Sequence, residues 1–272
     1  MNSTTLSASD KMTTSEKLAM IDQGSGEAIV FLHGYPMNKS IWQHFANELQ
    51  DSYRVICLDL PGFGDNPAIE LPLTVGDMAE AVNKTLDSLG IEKCVMVGHS
   101  LGGYVALGFG EKYPNKLNGL VMFHSTAFAD SQEKKQGRNK SIDFVERYGV
   151  SEFVDEFISP LFFEGRKQEL KDSAETVMAM GRATAKSTVV EVIKAMRDRK
   201  DRTKVLEKAN FPVMYIVGRN DTAVQLSIAS PQFWMAKNAT THILDETGHM
   251  GMLERPKETL TLMRQFLQRV FA

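Results

Sequence analysis

The 272-residue sequence has little cysteine, little net charge and no long hydrophobic run, and each shortage argues against a class of protein. Its two cysteines, Cys57 and Cys94, lie in apolar segments without CxxC spacing, so we expect buried, reduced thiols and no disulfide framework. A net charge of −3 provides no basic face for nucleic acid. No apolar run approaches the length of a membrane span, and the N-terminal residues lack the pattern of a secretory signal. We therefore expect a cytoplasmic protein.

Short apolar segments alternate with helical patterns over most of the chain. The apolar segments predict strands at residues 28–32, 53–58, 94–97, 117–123, 213–217 and 241–244. Continuous apolar strands that are separated by helices favour a mostly parallel sheet with helices on both faces. The predicted fold class is therefore α/β.

Two stretches depart from this alternation. Residues 1–14 are rich in Ser and Thr without periodicity and are predicted to be a mobile leader. Residues 128–205 hold helical patterns and no strand-like run, which predicts a helical insertion between two parts of an α/β core, residues 15–127 and 206–272. Because ligands of open α/β sheets bind at the carboxyl ends of the strands, we expect the insertion to be a lid over that edge.

Residues 98–102 read GHSLG, directly after an apolar segment, and have the G-x-S-x-G form of a nucleophile elbow with Ser100 at its apex. In such a turn a strand runs sharply into a helix. Side chains at Gly98 and Gly102 would collide there with the neighbouring strand and helix. The short pattern gains specificity from its context, a predicted strand before it and a predicted amphipathic helix after it.

A serine hydroxyl is a poor nucleophile unless a base lies within hydrogen-bond reach and another group orients that base. Asp221 and His249 each follow a predicted strand, so they occupy loops at the same edge of the sheet as Ser100. The order Ser, Asp, His is that of the α/β hydrolases. Asp245 and Glu246 are alternative sources of the acid, because they lie close to His249 in the sequence.

Together these segments resemble the α/β-hydrolase superfamily, near its lid-bearing serine esterases, enol-lactonases and cofactor-free haloperoxidases. The resemblance extends from about residue 15 to the end of the chain, and its marks are HGYP at 33–36, DLPGFG at 59–64, GHSLGG at 98–103, GRND at 218–221 and GH at 248–249. It implies the α/β-hydrolase fold. It also implies that Ser100 is the nucleophile, that His249 is the general base and acid, and that Asp221 fixes the imidazole tautomer.

The resemblance further implies an oxyanion hole of two backbone N–H groups. One belongs to Leu101, at the N-terminus of the elbow helix, where the helix dipole favours negative charge. The other belongs to Tyr35, because the following Pro36 has no amide hydrogen. We expect His33 to order this loop.

Other candidate residues have a structural alternative. His124, Met37 and Met250 are candidates for the pocket lining, although His124 could equally pack in the core. His99 flanks the nucleophile but is expected to pack, and Asp59 is expected to tie down a tight loop. The sequence also contains a basic run, which consists of Lys134, Lys135, Arg138 and Lys140. We expect this run to form a solvated helix face rather than a site for an anionic substrate.

The predicted function is an esterase-type serine hydrolase that acts on a small-molecule ester, thioester or lactone through an acyl-enzyme. Two alternatives keep the triad and change the reaction, to hydrolysis of a carbon–carbon bond or to peracid formation. A third is a small-molecule receptor that has retained the fold. We expect no cofactor, and no metal, because no pair of histidines has metal-ligand spacing.

Overall fold

The computed structural model describes residues 17–69 and 72–272, so the predicted leader lies outside the described residues. Seven strands form one sheet in the order β1-β3-β2-β4-β5-β6-β7. They are β1 (Met20–Gln23), β2 (Ala28–Leu32), β3 (Arg54–Leu58), β4 (Cys94–His99), β5 (Leu117–Phe123), β6 (Val213–Gly218) and β7 (Ala239–Leu244). All neighbouring pairs are parallel except β1 with β3, which confirms the predicted α/β class.

The antiparallel edge strand β1 is the strand that sequence analysis missed. It aligns Met20 with Leu58 and Gln23 with Val55. Its four residues are only partly buried or exposed, so it lacks the apolar run by which the other strands were found. A strand with one neighbour and one solvated face does not need such a run.

Helices cover both faces of this sheet. Within the described residues the α-helices are α1 (Gln43–Leu49), α2 (Val75–Ser88), α3 (Leu101–Lys112), α4 (Gln132–Tyr148), α5 (Val150–Ile158), α6 (Lys171–Arg182), α7 (Lys186–Arg197), α8 (Thr203–Glu207), α9 (Leu226–Ala229), α10 (Gly251–Glu254) and α11 (Pro256–Phe271). Over the described part of the chain, none of them has both the length and the apolar character that crossing a membrane would demand.

The centre of the sheet is the core of the molecule. Every residue of β2, β4 and β6 is buried, as expected for parallel strands with both faces covered. Cys57 and Cys94 are free thiols inside this core. Burial raises the pKa of the Cys94 thiol to about 12, so it remains protonated and serves as a small apolar side chain.

Helix α3 differs from the amphipathic helix that its sequence predicted. Residues 101–110 are all buried, and only the last turn reaches solvent. The reason is its position, because α3 packs on β2, β4 and β5 with one side and on α2 and α8 with the other. A helix that is covered on all sides has no need of a polar face.

Between β5 and β6 the described chain is helical throughout, from α4 to α8. We call residues 128–205 the helical insertion. Helix α4 packs on α5 and α7, and α5 packs on α6, while the buried apolar residues of the insertion continue the hydrophobic core of the sheet. Its predicted end at residue 205 falls within α8.

Candidate active site

Ser100 lies at the sharp turn between β4 and α3. Its φ of 50° and ψ of −113° form a backbone conformation that residues other than glycine rarely adopt. Backbone hydrogen bonds hold it there: the Ser100 amide donates to the Phe123 carbonyl at 3.1 Å, and the Gly103 amide donates to the Ser100 carbonyl at 2.9 Å. The Ser125 hydroxyl donates to the same carbonyl at 2.8 Å. The turn is thus fixed from both sides.

The glycines of the turn allow close backbone contacts. A Cβ atom at Gly98 would lie 2.5 Å from the Gly102 carbonyl oxygen. A Cβ atom at Gly102 would collide with the Leu32 carbonyl oxygen on β2. Any side chain at either position therefore forces the strand or the helix to move.

Asp221 and His249 meet at the ends of β6 and β7. His249 Nδ1 lies 2.7 Å from Asp221 Oδ2, and both residues are buried. The other carboxylate oxygen accepts the amides of Ala223 and Val224, at 2.8 Å each. Burial by itself would raise the pKa of Asp221, but the neighbouring His249 and the hydrogen bonds from His124 and His249 hold it well below its usual range. An ionised carboxylate can only accept, so Nδ1 of His249 carries the hydrogen and Nε2 is left as an acceptor.

His124 contacts the same carboxylate. Its Nδ1 lies 3.1 Å from Asp221 Oδ2 and 3.2 Å from the Gly218 amide nitrogen. The ring is fully buried and packs against Gly251, its Nε2 has no hydrogen-bond partner among the described residues, and burial lowers its pKa. The Gly218 amide and the Asp221 carboxylate thus compete for Nδ1, which accepts from the amide only through a lone pair and donates to the carboxylate only as N–H.

His124, Met37 and Met250 were candidates for the pocket lining, with core packing an equal alternative for His124, and the structure buries all three. Each is 1% exposed or less, and none is among the residues that line the cavity beside Ser100. His124 turns towards Asp221 at a φ of 47°. The Met37 side chain lies against Gly34, beneath the loop rather than on its outer surface. These residues are close to the site in sequence, but that closeness does not tell whether a side chain faces the cavity or the core.

His124, Asp221 and His249 also form a group that resembles a metal site, since one ligand atom from each lies within 4.8 Å of the others. Ligands of a tetrahedral Zn²⁺, about 2.1 Å from the ion, lie about 3.4 Å from one another. The 2.7 Å between His249 Nδ1 and Asp221 Oδ2 is shorter and is a direct hydrogen bond. The donor set fits hydrogen bonding better than metal coordination.

A second carboxylate, Glu254, organises the loop that carries His249. It is 2% exposed and accepts hydrogen bonds from the amides of Gly248 at 3.0 Å, Met250 at 2.9 Å and Phe163 at 3.0 Å. Sequence analysis missed it. The available signal was an acidic residue directly after the apolar residues of α10, and it pointed to no particular partner.

The two candidate oxyanion donors lie on different elements, Tyr35 on the loop after β2 and Leu101 at the first position of α3. Among the backbone hydrogen bonds of the described residues, neither the Tyr35 amide nor the Leu101 amide is a donor. His33 Nδ1 lies 2.8 Å from the Gly34 carbonyl, and its Nε2 accepts the Leu60 amide at 2.9 Å. Burial lowers the pKa of His33 to about 4, so the ring is neutral when it orders this loop.

Three further acidic residues have structural partners. Asp245 and Glu246, the alternative sources of the acid, lie at the surface and pair with Arg219 and Arg255. Asp59 is fully buried and accepts from the amide and the ammonium group of Lys39, at 2.7 and 2.6 Å. His249 thus has Asp221 as its acidic partner.

A cavity of about 570 Å³ connects these groups with the helical insertion. Ser100 and His249 line it from the core, together with Tyr35, Tyr104 and residues 222–225. The insertion contributes Ser131, Glu133, Lys134, Gly137, Arg138, Ser141, Phe157, Leu161 and Met196. The volume is in the range of pockets that bind small organic molecules.

Comparison with known proteins adds to this geometry. The profile of the α/β hydrolase fold family matches residues 27–256. A 2-hydroxy-6-oxononadienedioate/2-hydroxy-6-oxononatrienedioate hydrolase of Pseudomonas sp is 27% identical, with 91% of this chain and 90% of that protein covered. The pimeloyl-[acyl-carrier protein] methyl ester esterase of Aliivibrio salmonicida is 24% identical, with 94% and 97% covered. The structure of a thermophilic esterase from Thermogutta terrifontis, with malate bound, is 28% identical at a TM-score of 0.89, with 94% of each chain covered.

Proposed function

The chain belongs to the α/β hydrolase fold family and is an enzyme of that fold, and from this premise we propose a serine hydrolase that cleaves a carboxylic ester, thioester or lactone of a small to medium-sized molecule. The observation that carries the proposal is the 2.7 Å hydrogen bond between Asp221 and His249, in a cavity that Ser100 also lines. Ser100, His249 and Asp221 together offer a nucleophile, a base and a group that orients the base.

In the first half of the proposed reaction, the Ser100 hydroxyl oxygen attacks the ester carbonyl carbon. His249 Nε2 takes the hydroxyl proton, and ionised Asp221 stabilises the resulting imidazolium. The amides of Tyr35 and Leu101 receive the negative charge that develops on the carbonyl oxygen. The bond to the alcohol then breaks, His249 returns the proton to the leaving oxygen, and an acyl-enzyme remains on Ser100.

In the second half, a water molecule attacks the acyl carbon. His249 takes one proton of the water and passes it to Ser100 Oγ as the acyl–oxygen bond breaks. The carboxylic acid leaves, and the enzyme returns to its starting state. All proton transfers use the same imidazole, whose tautomer is fixed throughout by Asp221.

We also propose the helical insertion as the lid of this site and the cytoplasm as its location. The lid proposal is supported by residues of α4, α5 and α7 that line the cavity opposite Ser100. The location is supported by two free, buried thiols, which are stable in a reducing compartment.

Hydrolysis of p-nitrophenyl esters from acetate to laurate, by the wild type beside Ser100→Ala, tests the proposed function. We expect repeated turnover by the wild type and a loss of at least about 10⁴-fold in the variant, at an unchanged melting temperature. Activity that survives in Ser100→Ala would contradict the assignment of the nucleophile. Binding of esters without turnover by the folded wild type would favour the receptor alternative.

Hydrolysis of a carbon–carbon bond is the second candidate, and the relative of Pseudomonas sp that is named for an oxononadienedioate substrate favours it. The same triad and oxyanion donors serve a ketone in place of an ester. A 2-hydroxy-6-oxodienoate offered in parallel with the esters distinguishes the two. A higher kcat/KM for the dienoate than for every ester would replace ester cleavage by carbon–carbon cleavage.

A further inference from the structure

Two residues of the basic run in α4 differ from the solvated face that the sequence favoured. Lys134 and Arg138 are partly buried and line the same cavity as Ser100 and His249. Their spacing of four residues places them on one side of the helix. Lys140 is exposed and is not among the cavity residues. Lys135 is partly buried but likewise lies outside the cavity lining, so the structure separates Lys134 and Arg138 from the other two cations of the run.

Arg138 carries a charge that its surroundings neutralise only in part. Its Nε lies 3.2 Å from Asp130 Oδ2, and its side chain is 16% exposed. Asp130 is fully buried and also pairs with Arg199, at 2.7 Å. Two guanidinium groups therefore share one carboxylate, and one positive charge remains.

Arg199 is the structural member of this trio. Its side chain is 3% exposed, it donates to the carbonyls of Met196 and Phe128 at 2.8 and 2.9 Å, and it lies 4.0 Å above the ring of Tyr104. It is not among the residues that line the cavity. Of the two arginines, Arg138 is the one that a bound molecule can reach.

Lys134 adds a second charge. Its ammonium group donates to the Ala223 carbonyl at 2.7 Å, and it forms no ion pair within the part of the chain that the structure describes. The acidic residue of the cavity lining is Glu133, which is exposed. Lys134 and Arg138 therefore present two cationic side chains to the cavity, beside the solvated carboxylate of Glu133.

A neutral hydrogen-bonding group lies beside these cations. Tyr35 is 4% exposed and lines the cavity, and its buried hydroxyl has no hydrogen-bond partner in the described structure. The charge of Arg138 acts on this hydroxyl, against the larger effect of burial that raises the pKa of Tyr35. A buried hydroxyl without a partner is costly, and an acceptor from a ligand would satisfy it.

We propose that this cavity selects substrates that carry a free carboxylate in addition to the ester, with Arg138 and Lys134 as the residues that bind the carboxylate. The substrate class is then the half-ester of a dicarboxylic acid, or a lactone or thioester with a carboxylate on its chain. The planar guanidinium of Arg138 matches the two oxygens of a carboxylate. The inference rests on the proposed function, since it assigns a substrate class to the same site.

The kinetic test compares monomethyl adipate with methyl hexanoate, which has the same chain length without the carboxylate. We expect the wild type to prefer the half-ester in kcat/KM. Arg138→Gln should lower the ratio of the two kcat/KM values by about 10- to 100-fold, the effect of one hydrogen bond to a charged group. Lys134→Gln should lower the ratio by a smaller factor. The matched control on the same helix, Lys140→Gln, should leave it unchanged.

A wild type that prefers methyl hexanoate, or a ratio that all three variants leave unchanged, overturns the proposal. Melting temperatures of the variants show whether each is folded. If Arg138→Gln unfolds because Asp130 loses a partner, the ratio in Lys134→Gln still decides.

A binding test separates failure of this inference from failure of the proposed function. Ser100→Ala is titrated calorimetrically with adipate and with inorganic phosphate, which need no turnover to bind. The carboxylate site is supported if adipate binds to Ser100→Ala, if adding Arg138→Gln abolishes this binding, and if adding Lys140→Gln does not. This conclusion holds even if the wild type hydrolyses neither ester. The proposed carboxylate site is overturned if adipate does not bind, or if inorganic phosphate binds at least as tightly as adipate.

Discussion

The sheet core and the helical insertion line the same cavity, but they are held in place by different kinds of contact. The core is continuous: β2, β4 and β6 are buried on both faces, and the turn at Ser100 is fixed by close backbone contacts. The insertion packs on itself and on the loop after β2, where Tyr35 contacts Phe153 and Phe157. It also contacts the loop of His249, whose amide donates to the Leu161 carbonyl at 2.6 Å. The comparison divides the cavity lining into Ser100 and His249 from the core and side chains of α4, α5 and α7 from the insertion.

The largest effect is expected in the core, at Asp221. Asparagine keeps the size of the side chain but can donate to His249 Nδ1, which favours the wrong imidazole tautomer. We expect Asp221→Asn to lower kcat by about 10⁴-fold with little change in KM. Steady-state kinetics on p-nitrophenyl butyrate checks this value. The control Asp245→Asn, at the surface, should remain within about twofold; the reverse order would move the acid to Asp245.

We also expect acid to lower the folding stability of the core, through the buried His33. His33 has a pKa of about 4 when folded and an ordinary value near 6.5 when unfolded, so between these pH values only the unfolded chain takes up the proton. Stability from this group is complete above pH 6.5 and is lost as the pH falls towards 4, by about 3 kcal/mol.

Urea unfolding of the wild type and His33→Asn from pH 4.5 to 7 measures that loss. The variant starts from a lower stability but should lose less of it as the pH falls, while the exposed control His44→Asn should follow the wild type. An identical pH dependence in all three proteins would contradict the role of His33.

An intermediate effect is expected at Glu254, where the two regions meet. Glu254→Gln replaces one acceptor oxygen with an amide group that faces backbone N–H donors of Gly248, Met250 or Phe163. We expect a loss of about 2 kcal/mol in stability and a reduced kcat, because the loop of His249 loses its anchor. Denaturant unfolding and kinetics on one preparation measure both. Glu258→Gln, on the exposed side of α11, is the matched control and should change neither quantity.

The smallest effect is expected in the insertion, at Phe157. This side chain lines the cavity and stacks on Phe153, with ring centroids 5.3 Å apart. Phe157→Ala should shift the preferred acyl chain to a greater length and change kcat/KM for short esters by about tenfold, because it widens the pocket without touching the triad. Phe144→Ala, an insertion aromatic outside the cavity, should keep the wild-type profile. A loss of kcat on all chain lengths would assign chemistry to the insertion.

The parts of this molecule that the sequence predicts well are those with a local signature. The parallel strands have apolar runs, and Ser100, Asp221 and His249 each stand at the end of such a run. β1 has no apolar run and was missed. Helix α3 was misjudged for another reason, since strands cover it on one side and α2 and α8 cover it on the other.

The remaining site features depend on contacts between distant parts of the chain. Glu254 reaches the insertion through Phe163, 91 residues away, and His124 contacts Asp221, 97 residues away. A histidine that follows a strand can point into the pocket or behind the acid, and the sequence pattern is the same in both cases. The division of the basic run in α4 likewise depends on which side of the helix faces the cavity.

The 2.6 Å hydrogen bond from the His249 amide to the Leu161 carbonyl has a consequence for the timing of turnover. Any excursion that carries residues 159–163 away from the core breaks this bond and loosens the loop of His249, the proposed base, which Glu254 still holds through the amides of Gly248 and Met250. The free energy of that local opening therefore influences the fraction of molecules in which His249, the proposed base, is correctly placed. A substrate that bridges Ser100 and the insertion raises this fraction simply by occupying the cavity, so that binding and readiness for catalysis are thermodynamically linked.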